Sequence, residues 1–577
     1  MNLLAPSTHL LVVLLLPLAG AGIIWLLGSR GLQTVRQSAV ITGVLTLVAA
    51  AGLVLRYLAS AEAAAGQPFA AVSVPWLTGG MFDIRLSLGL DGLSLWLFGL
   101  SALLSLTAIL VSWDAIEEGA VGFYMLLLLL ETAMLGVFAA RDIILFYVFF
   151  EFTLVPLFFL IGIWGHEERR RAAVTFFIYT LAGSVLAFLG LMTIVLWNAS
   201  HTGSISFDID LLTAGLAEHP LPMDAEGGYL QGLVFLALLV GFSVKVPIVP
   251  LHTWLPLAHV EAPTGGSVDL AGVLLKLGIY GFLRFSLPML PEATALAAPW
   301  LFALGACGIV YGALVALVQQ DLKRMIAYSS VSHMGYVVMG LFALEPVAIE
   351  GANLQLINHG LSSAGLFALV GMLYERFHTR SIASLGGVAA KAPWLTVLFV
   401  LFTFSSIGLP GLNGFVGEFM ILAGSFQRAW TGVAVGLEQS YLILAVMGVV
   451  GVVLGAWYML WAVERVFFGV SRLPPSSQAD ADSDESLDLR WHEIAALAPL
   501  AVFVLWIGLT PAGFLGPPAA TVRKLTLASS AAFAEQMQLP PQAEPRDPEM
   551  FTTPVAPRQE SVQELATVAP PTPAANE

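Results

Sequence analysis

Residues 233–251, LVFLALLVGFSVKVPIVPL, combine an apolar run with one lysine and two prolines. An apolar run of about 20 residues is long enough to cross a bilayer as a helix. Pro247 and Pro250 each lack a backbone donor and clash with the preceding turn, so they predict two half-helices around an unwound segment. Unwound backbone is tolerated at membrane depth only where protein buries it or where it lines a wet cavity. The stretch therefore predicts a membrane protein with a broken helix beside Lys245.

Fourteen apolar runs of spanning length follow one another along the 577 residues. They lie near residues 8–27, 38–57, 89–111, 121–140, 143–163, 173–197, 229–257, 267–289, 297–319, 325–343, 353–374, 393–425, 441–468 and 493–513. Only 11% of the residues are charged and 58% are hydrophobic, whereas soluble domains carry about 25% charged residues. The runs are too long and continuous for barrel strands. We predict an all-α polytopic membrane protein.

The run near 393–425 is interrupted like the run near 229–257, because Gly408 and Pro410 precede Glu418 in it. The two interrupted runs are five spans apart, so a duplicated unit of five helices would place its copies in opposite orientations. Paired broken helices in inverted repeats are typical of transporters. The predicted units are helices 1–3 with an external loop (1–120), a first repeat of helices 4–8 (121–290), a second repeat of helices 9–13 (297–468), a loop with helix 14 (469–515), and a disordered Pro- and Ala-rich extension (516–577).

The distribution of lysine and arginine predicts the orientation of the spans. Most of these residues, including Arg169–Arg171 and Lys323–Arg324, lie in loops that follow odd-numbered runs. Because such loops remain in the cytoplasm, both termini are predicted on the opposite side. The first run has no basic residue before it, which favours a span over a cleaved signal. The net charge of −15 arises in the loops and the C-terminal region, and we predict no nucleic-acid partner.

Four charged residues lie inside apolar runs: Glu151, Lys245, Lys276 and Glu418. A charge near the bilayer centre costs roughly 2.5–3.5 kcal/mol even on the mildest scale, and such residues usually serve function. Charges of both signs at this depth favour a relay for protons or ions. The alternatives are that the lysines snorkel from helix ends, that Glu151 only neutralises a lysine, and that Glu418 is a satisfied polar residue beside the break.

Much of the chain, from about residue 91 to about residue 468, resembles the antiporter-like, proton-pumping subunits of respiratory complex I. Among these subunits it resembles subunit M, the counterpart of mitochondrial chain 4. The resemblance rests on the segments DGLSLWL, RDIILFYVFFEFTLVPLF, VKVPIVPLHTWLPLAHVEAPTGGSV, LAGVLLKLGIYGFLRF, DLKRMIAYSSVSHMGYV, NHGLSSAGLF and GLPGLNGFVGEFMIL. It implies fourteen helices, two inverted five-helix repeats and broken helices seven and twelve. It also implies a bacterial inner membrane, with both termini on the periplasmic side.

The resemblance assigns roles to the buried charges. Glu151 falls on the family's fifth-helix glutamate, Lys245 on the seventh-helix lysine and Lys276 on the eighth-helix lysine. Glu418 falls on the twelfth-helix acid, where sister subunits usually have lysine. The matching polar positions of tenth and eleventh helices are His333 and His359. The implied mechanism is that loss of the Glu151 charge releases a proton from Lys245, which passes through Lys276 and the histidines to Glu418.

Three further residues bear on this route. Glu131 is interpreted either as an auxiliary acid or as a helix–helix contact. Asp269 lies seven residues before Lys276, about two turns along the same helix face, and is interpreted either as an acid of the route or as an anion in the first helical turn, where the helix dipole favours it. Leu257 stands where the family usually has an acid, and Asp269 stands where the family is generally apolar. If Asp269 is an acid of the route, the outer part of the route differs from that of other members.

The chain is not predicted to carry redox chemistry of its own. Cys307 is its only cysteine, which excludes intrachain disulfides and four-cysteine clusters, and it has no nucleotide-binding motif. The resemblance implies that this chain binds no cofactor or metal and that NADH, FMN, iron–sulfur clusters and quinone belong to partner subunits. Its predicted partners are the other membrane subunits, neighbouring antiporter-like ones above all, and the lipid bilayer. The alternatives are a subunit of a multi-subunit cation/proton antiporter, a subunit of a hydrogenase or ferredoxin-driven complex, and a structural scaffold.

Overall fold

The protein is described from a computed structural model, which covers residues 5–79, 82–431, 438–470, 472 and 487–537. Its helices are Pro6–Leu27, Gly28–Arg30, Leu32–Leu58, Ala61–Ala65, Gly92–Val111, Ala120–Ala139, Ile143–Phe152, Leu154–Trp164, Arg169–Thr202, Ile209–Glu218, Leu230–Lys245, Trp254–Glu261, Thr264–Asp269, Leu270–Leu274, Leu275–Gly281, Phe282–Ser286, Leu287–Met289, Pro291–Leu317, Leu322–Phe342, Pro346–Phe377, Val388–Ala390, Pro393–Ser406, Asn413–Thr431, Glu438–Phe467, Trp491–Leu509 and Ala512–Gln536.

Within the described residues, twelve helical segments are long and apolar enough to cross a membrane. The two missing members of the predicted fourteen are the interrupted runs, each of which forms a pair of shorter helices. We call Leu230–Lys245 with Trp254–Glu261 the first broken helix, and Pro393–Ser406 with Asn413–Thr431 the second broken helix. The predicted all-α membrane fold and both predicted breaks are thus confirmed.

At each break a side chain donates to a backbone carbonyl, since backbone polar groups inside a membrane need partners within the protein. In the first, the indole of Trp254 donates to the carbonyl of Val244 at 2.9 Å. In the second, the Asn358 amide donates to the carbonyl of Asn413 at 2.8 Å. Gly408 has a φ of +71° there, a conformation that favours glycine. These hydrogen bonds attach each unwound segment to neighbouring protein groups.

Four helices form the centre of the molecule: Gly92–Val111, Thr264–Met289, Leu322–Phe342 and Pro346–Phe377. Their apolar segments are almost completely buried by protein, whereas less than a third of the corresponding segment of Gln439–Phe467 is buried. Helices with lipid-facing surfaces therefore surround a core of helices that contact only protein. Three of the four central helices carry predicted site residues.

A small sheet, which the all-α prediction missed, occupies the loop after the second span. Strands Phe69–Gly79 and Phe82–Leu90 are antiparallel, with Val74 opposite Leu86, and Ile205–Ser206 pairs with the second strand in parallel. Alternating residues such as Val72, Val74, Leu86 and Leu88 are typical of a strand pair, but this region was predicted only as a loop.

The prediction that the chain is disordered from residue 516 is wrong for its first part. Residues Ala512–Gln536 form a helix whose buried side chains include Phe514, Val522 and Phe533. This helix is fixed to the membrane helices, since the Trp96 indole donates to the carbonyl of Phe514 at 3.1 Å and the Arg428 guanidinium lies 4.6 Å from the ring of Phe533. Its composition suggested disorder, but the helical spacing of its apolar residues decides the structure. The rest of the predicted extension, from residue 538, lies outside the described residues.

Candidate functional site

Lys245 ends the first half of the first broken helix and is only 2% exposed. Its Nζ donates to the hydroxyl of Thr153 at 3.3 Å and to the carbonyl of Phe150 at 3.4 Å. It also lies 4.0 Å from the centre of the Phe150 ring, which attracts a cation through its π face. Thr153 separates the helices Ile143–Phe152 and Leu154–Trp164. The ammonium of Lys245 is therefore held by neutral groups at a helix interruption.

Glu151 lies beside this group, as predicted, but does not pair with it directly. The side chain is close enough to Lys245 for the two charges to interact, yet they form no ion pair within the described part of the chain. Glu151 is half-buried, and its Oε1 is buried without a hydrogen-bond partner. The carboxylate can thus change its position or charge without breaking a bond to Lys245.

Lys276 lies on the short helix Leu275–Gly281, between the π-helical turns Leu270–Leu274 and Phe282–Ser286. Such turns are frequent at functional sites. Nζ of Lys276 donates to the carbonyl of Ala271, inside the first π turn, and contacts Nδ1 of His359 at 2.9 Å. The side chain is completely buried. The irregular backbone thus provides an acceptor that holds the ammonium against a histidine.

The two lysine-bearing helices are in direct contact. A Cβ at Gly278 would come within 2.6 Å of the carbonyl of Phe242 and within 3.2 Å of the Cβ of Lys245. Only glycine permits this close approach, so the contact sets the relative positions of Lys245 and Lys276.

His333 and His359 join Lys276 to Glu418. The Nδ1 of His333 lies 2.9 Å from Oε1 of Glu418, and its Nε2 lies 3.1 Å from the hydroxyl of Ser406. Gln355 donates to the same Oε1 at 3.1 Å. The imidazole rings of His333 and His359 are 5.8 Å apart. Four predicted site residues therefore lie in the order Lys276, His359, His333, Glu418.

A small polar cavity adjoins the two histidines. It is lined by Ser329, His333, Gln355, Asn358, His359, Ser362, Ser363, Leu366, Ser405, Ser406 and Gly414 and has a volume of about 10 Å³, which is room for about one water molecule. Nε2 of His359 is buried without a protein partner. The cavity therefore provides space for a water molecule between the imidazoles.

The other two predicted acids, Glu131 and Asp269, are both completely buried. Their carboxyl groups are close enough for their charges to interact. None of their four carboxyl oxygens has a hydrogen-bond partner in the part of the chain that is described. The structure thus brings these two acids together but does not connect them to Lys276 by a direct bond.

A cavity of about 610 Å³, here called the vestibule, lies where the loops after odd-numbered runs meet. Its charged lining consists of Asp114, Lys323, Glu375, Arg376, Arg380 and Arg490. His166 also lines it, and burial, assisted by the charges of Lys323 and Arg380, lowers the pKa of His166 to about 4. Lys323 reaches inward and donates from Nζ to the carbonyl of Ala262 at 2.6 Å. The vestibule is thus a polar space adjoining the first broken helix.

Sequence reasoning missed His259, on the second half of the first broken helix. Its ring stacks on Phe367 at 4.4 Å and 7°. Both ring nitrogens are buried without a partner, and the ring is within electrostatic range of both Lys323 and Lys276. The available signal was its position in HTWLPLAH, directly after the predicted break. His259 is thus a titratable group near both the vestibule lysine and the central lysine.

Comparison with known proteins gives one consistent family. The family described as NADH:quinone oxidoreductase/Mrp antiporter, transmembrane, matches residues 140–457. NADH-quinone oxidoreductase subunit M of Escherichia coli (strain K12) is 39% identical over 506 residues, covering 86% of this chain and 94% of that protein. NADH-ubiquinone oxidoreductase chain 4 of Chondrus crispus is 38% identical over 507 residues, covering 88% and 95%.

The fold agrees with these sequence relatives. A chain in the solved structure of respiratory complex I from Thermus thermophilus with bound NADH superposes with a TM-score of 0.74 and 32% identity, covering 90% of this chain and 99% of that chain. The resemblance predicted from the sequence segments is therefore confirmed. The chain belongs to the NADH:quinone oxidoreductase/Mrp antiporter family of transmembrane proteins.

Proposed function

We propose that this chain is a proton-translocating membrane subunit of an NADH-quinone oxidoreductase, and that partner subunits oxidise NADH and reduce quinone. Relatives that match 88% and 86% of this chain carry the name of this enzyme. The observation that carries the proposal is the buried series Lys276, His359, His333 and Glu418, in which neighbouring groups lie at 2.9 Å or face one water-sized cavity.

The chemistry of this series suits proton transfer. An ammonium group donates protons only, a carboxylate accepts them, and a neutral imidazole does both through its two nitrogens. A proton leaving Lys276 can therefore pass to Nδ1 of His359 while Nε2 gives one up to a water molecule in the cavity. The water molecule then passes a proton to His333, and His333 gives a proton from Nδ1 to Glu418. Each step ends on a group that can carry the charge.

Lys245 and Glu151 control the supply in this proposal. A carboxylate near an ammonium group favours the charged form, whereas burial favours the neutral amine. Because Lys245 is otherwise held only by Thr153, Phe150 and their backbone, loss of the Glu151 charge shifts the lysine toward releasing its proton. Electrostatic changes in neighbouring subunits act on the half-buried Glu151 first.

The vestibule is the proposed point of proton intake. It lies at the loops that the distribution of basic residues assigns to the cytoplasm. Lys323 reaches from it toward the first broken helix, and His259 follows with both ring nitrogens available. The route from Lys323 through His259 to Lys276 bypasses the outer position where Leu257 replaces an acid. In this proposal both termini lie on the periplasmic side of a bacterial inner membrane.

The proposal is tested by Lys245→Ala in the intact respiratory complex, assayed in inverted membrane vesicles. We expect NADH oxidation to form little or no proton gradient in the variant, while native electrophoresis shows an assembled complex. Lys391→Ala is the matched control because Lys391 is exposed outside the spans. An assembled Lys245→Ala complex with the wild-type number of protons moved per NADH would refute the proposed function.

A further inference from the structure

Glu131 and Asp269 differ from the other deeply buried acids of the described chain. Asp91, Glu345, Glu418 and Glu493 each lie within 3.1 Å of an arginine or a histidine. The remaining two, Asp142 and Glu261, accept hydrogen bonds from backbone N–H groups. The acids Glu131 and Asp269 have neither a hydrogen-bond partner nor a cationic neighbour among the described residues.

The absence of hydrogen-bond partners and counter-ions determines the protonation state of these two acids. Burying an ionised carboxylate without hydrogen bonds or a counter-ion is so unfavourable that the group takes up a proton instead. Two carboxylates that share one site oppose each other's ionisation as well. Because both side chains are completely buried, this arrangement is stable only when the two acids hold protons.

The position of the pair connects it to the proposed route. Asp269 is followed at once by the π-helical turn Leu270–Leu274, which contains the carbonyl that accepts from Lys276. Seven residues separate Asp269 from Lys276, roughly 10 Å along the helix. Glu131 lies on Ala120–Ala139, the span before the helix that carries Glu151. Asp269 thus precedes the turn that holds the central lysine, and Glu131 lies within electrostatic range of Asp269.

We propose that Glu131 and Asp269 form a buried acid pair that holds a proton and delivers it to the neutral amine of Lys276. In this step the carboxyl O–H bond of Asp269 breaks, its proton forms the third N–H bond of the ammonium through a bridging water, and the new carboxylate is stabilised by the new cation. Glu131 then gives its proton to Asp269 and takes up a proton from a hydronium ion that enters from the vestibule, which leaves a neutral water molecule. No oxidant or reductant takes part, and the inference rests on the proposed function.

The alternative is that the acids only fill space between helices. Glutamine and asparagine have nearly the same shape as the neutral acids but cannot release a proton. Glu131→Gln and Asp269→Asn therefore preserve packing, and we expect neither to lower the melting temperature of the complex. A purely structural role predicts that neither substitution changes proton transfer.

The test uses the assembled wild-type complex, Glu131→Gln, Asp269→Asn and the double variant, with the exposed Glu167→Gln as control. We expect each single variant to slow NADH-driven proton translocation by at least about tenfold, in line with loss of a positioned acid–base group. The double variant should be no slower than the worse single variant, because the two acids act in series on one proton. Infrared spectra should lose a carbonyl band of protonated carboxylic acid in Asp269→Asn but not in Glu167→Gln.

Wild-type translocation rates in assembled Asp269→Asn would overturn the proposal, and so would an unchanged band of protonated carboxylic acid. Losses that simply multiply in the double variant would overturn the serial arrangement. Lys245→Ala, measured beside these variants, separates the two levels of inference. If Lys245→Ala stops translocation and the acid variants do not, only the acid pair is rejected, whereas normal translocation in Lys245→Ala rejects the proposed function itself.

Discussion

Replacement of Lys276 by methionine separates proton transfer from folding at the centre of the series. Methionine keeps most of the apolar volume of lysine, so the substitution leaves no large cavity. It removes the contact with Nδ1 of His359 at 2.9 Å and the hydrogen bond to the carbonyl of Ala271. Because Nε2 of His359 already lacks a protein partner, the imidazole then has no direct partner on either nitrogen.

Opposing contributions leave the stability nearly unchanged. An unsatisfied buried polar group costs about 1–3 kcal/mol, and two are created here. Removal of a fully buried ammonium relieves a desolvation penalty of several kcal/mol. Since Lys276 is 0% exposed, the full relief applies, and we expect the free energy of unfolding to change by no more than about 2 kcal/mol.

The functional effect should be far larger than the effect on stability. Loss of a positioned proton-transfer group slows a reaction by about 10²–10⁴-fold, which corresponds to roughly 3–5 kcal/mol of activation free energy. The assay measures dye-reported acidification of inverted vesicles driven by NADH, together with the NADH oxidation rate with and without an uncoupler. The melting temperature and native electrophoresis of the purified complex report folding and assembly.

The reasoning fails if the assembled Lys276→Met complex acidifies vesicles at the wild-type rate for each NADH oxidised. The stability argument fails if the variant is strongly destabilised, because the buried ammonium of Lys276 would then make a net stabilising contribution to the fold. Lys524→Met provides the control, since Lys524 is exposed on the C-terminal helix.

Two further predictions concern groups outside the series. Arg284 donates to both oxygens of Asp91 at 2.6 and 2.9 Å, and Arg284 and Arg141 hold the pKa of Asp91 well below its usual value although burial alone would raise it. Arg284→Ala should therefore destabilise the complex by about 3–5 kcal/mol. This loss should appear as a lower melting temperature at neutral pH, where the stabilisation is fully present, and an unchanged melting temperature would contradict the prediction. The pKa of His166 is lowered from 6.5 to about 4, so as the pH falls from about 6.5 toward 4 the unfolded chain binds a proton before the folded chain does, and His166 destabilises the fold. His166→Asn should have the melting temperature of the wild type above pH 6.5 and a higher one between pH 6.5 and 4. The same pH dependence of the melting temperature in both proteins would contradict the lowered pKa of His166.

The sequence predicted those site residues whose placement inside an apolar run is energetically unfavourable and can be recognised from the sequence alone. A lysine inside an apolar run and prolines beside it violate the rules for a spanning helix, so Lys245 and its broken helix are recognisable without coordinates. The same holds for Glu418 beside Gly408 and Pro410. The resemblance to a known family then added His333 and His359, and the structure brings both into one series with Lys276.

What remained unpredicted depends on packing between distant segments. The π turn that places the Ala271 carbonyl before Lys276 has no signal in residue type. His259 is one of ten histidines in the chain, and only its stacking on Phe367 and its unpartnered nitrogens distinguish it. Asp269 was interpreted either as an acid of the route or as an anion in an early helical turn, and the sequence did not predict its complete burial within electrostatic range of Glu131. Side-chain partners across helices cannot be derived from the periodicity of either helix alone.

The gap in the first half of the route is as informative as the continuity in the second. A path of direct contacts from Lys245 to Glu418 would let protons equilibrate across the membrane and would dissipate any gradient. Here the contacts run unbroken from Lys276 to His359 and from His333 to Glu418, whereas Lys245 is held by Thr153 and Phe150 and touches neither Glu151 nor Lys276 through a bond. A pump needs such an interruption, closed only in a state that another event favours. Glu151 lies beside Lys245 on one side of this interruption and forms no ion pair with it among the described residues. In the proposed mechanism, control of the route therefore acts at Lys245 rather than at Glu418.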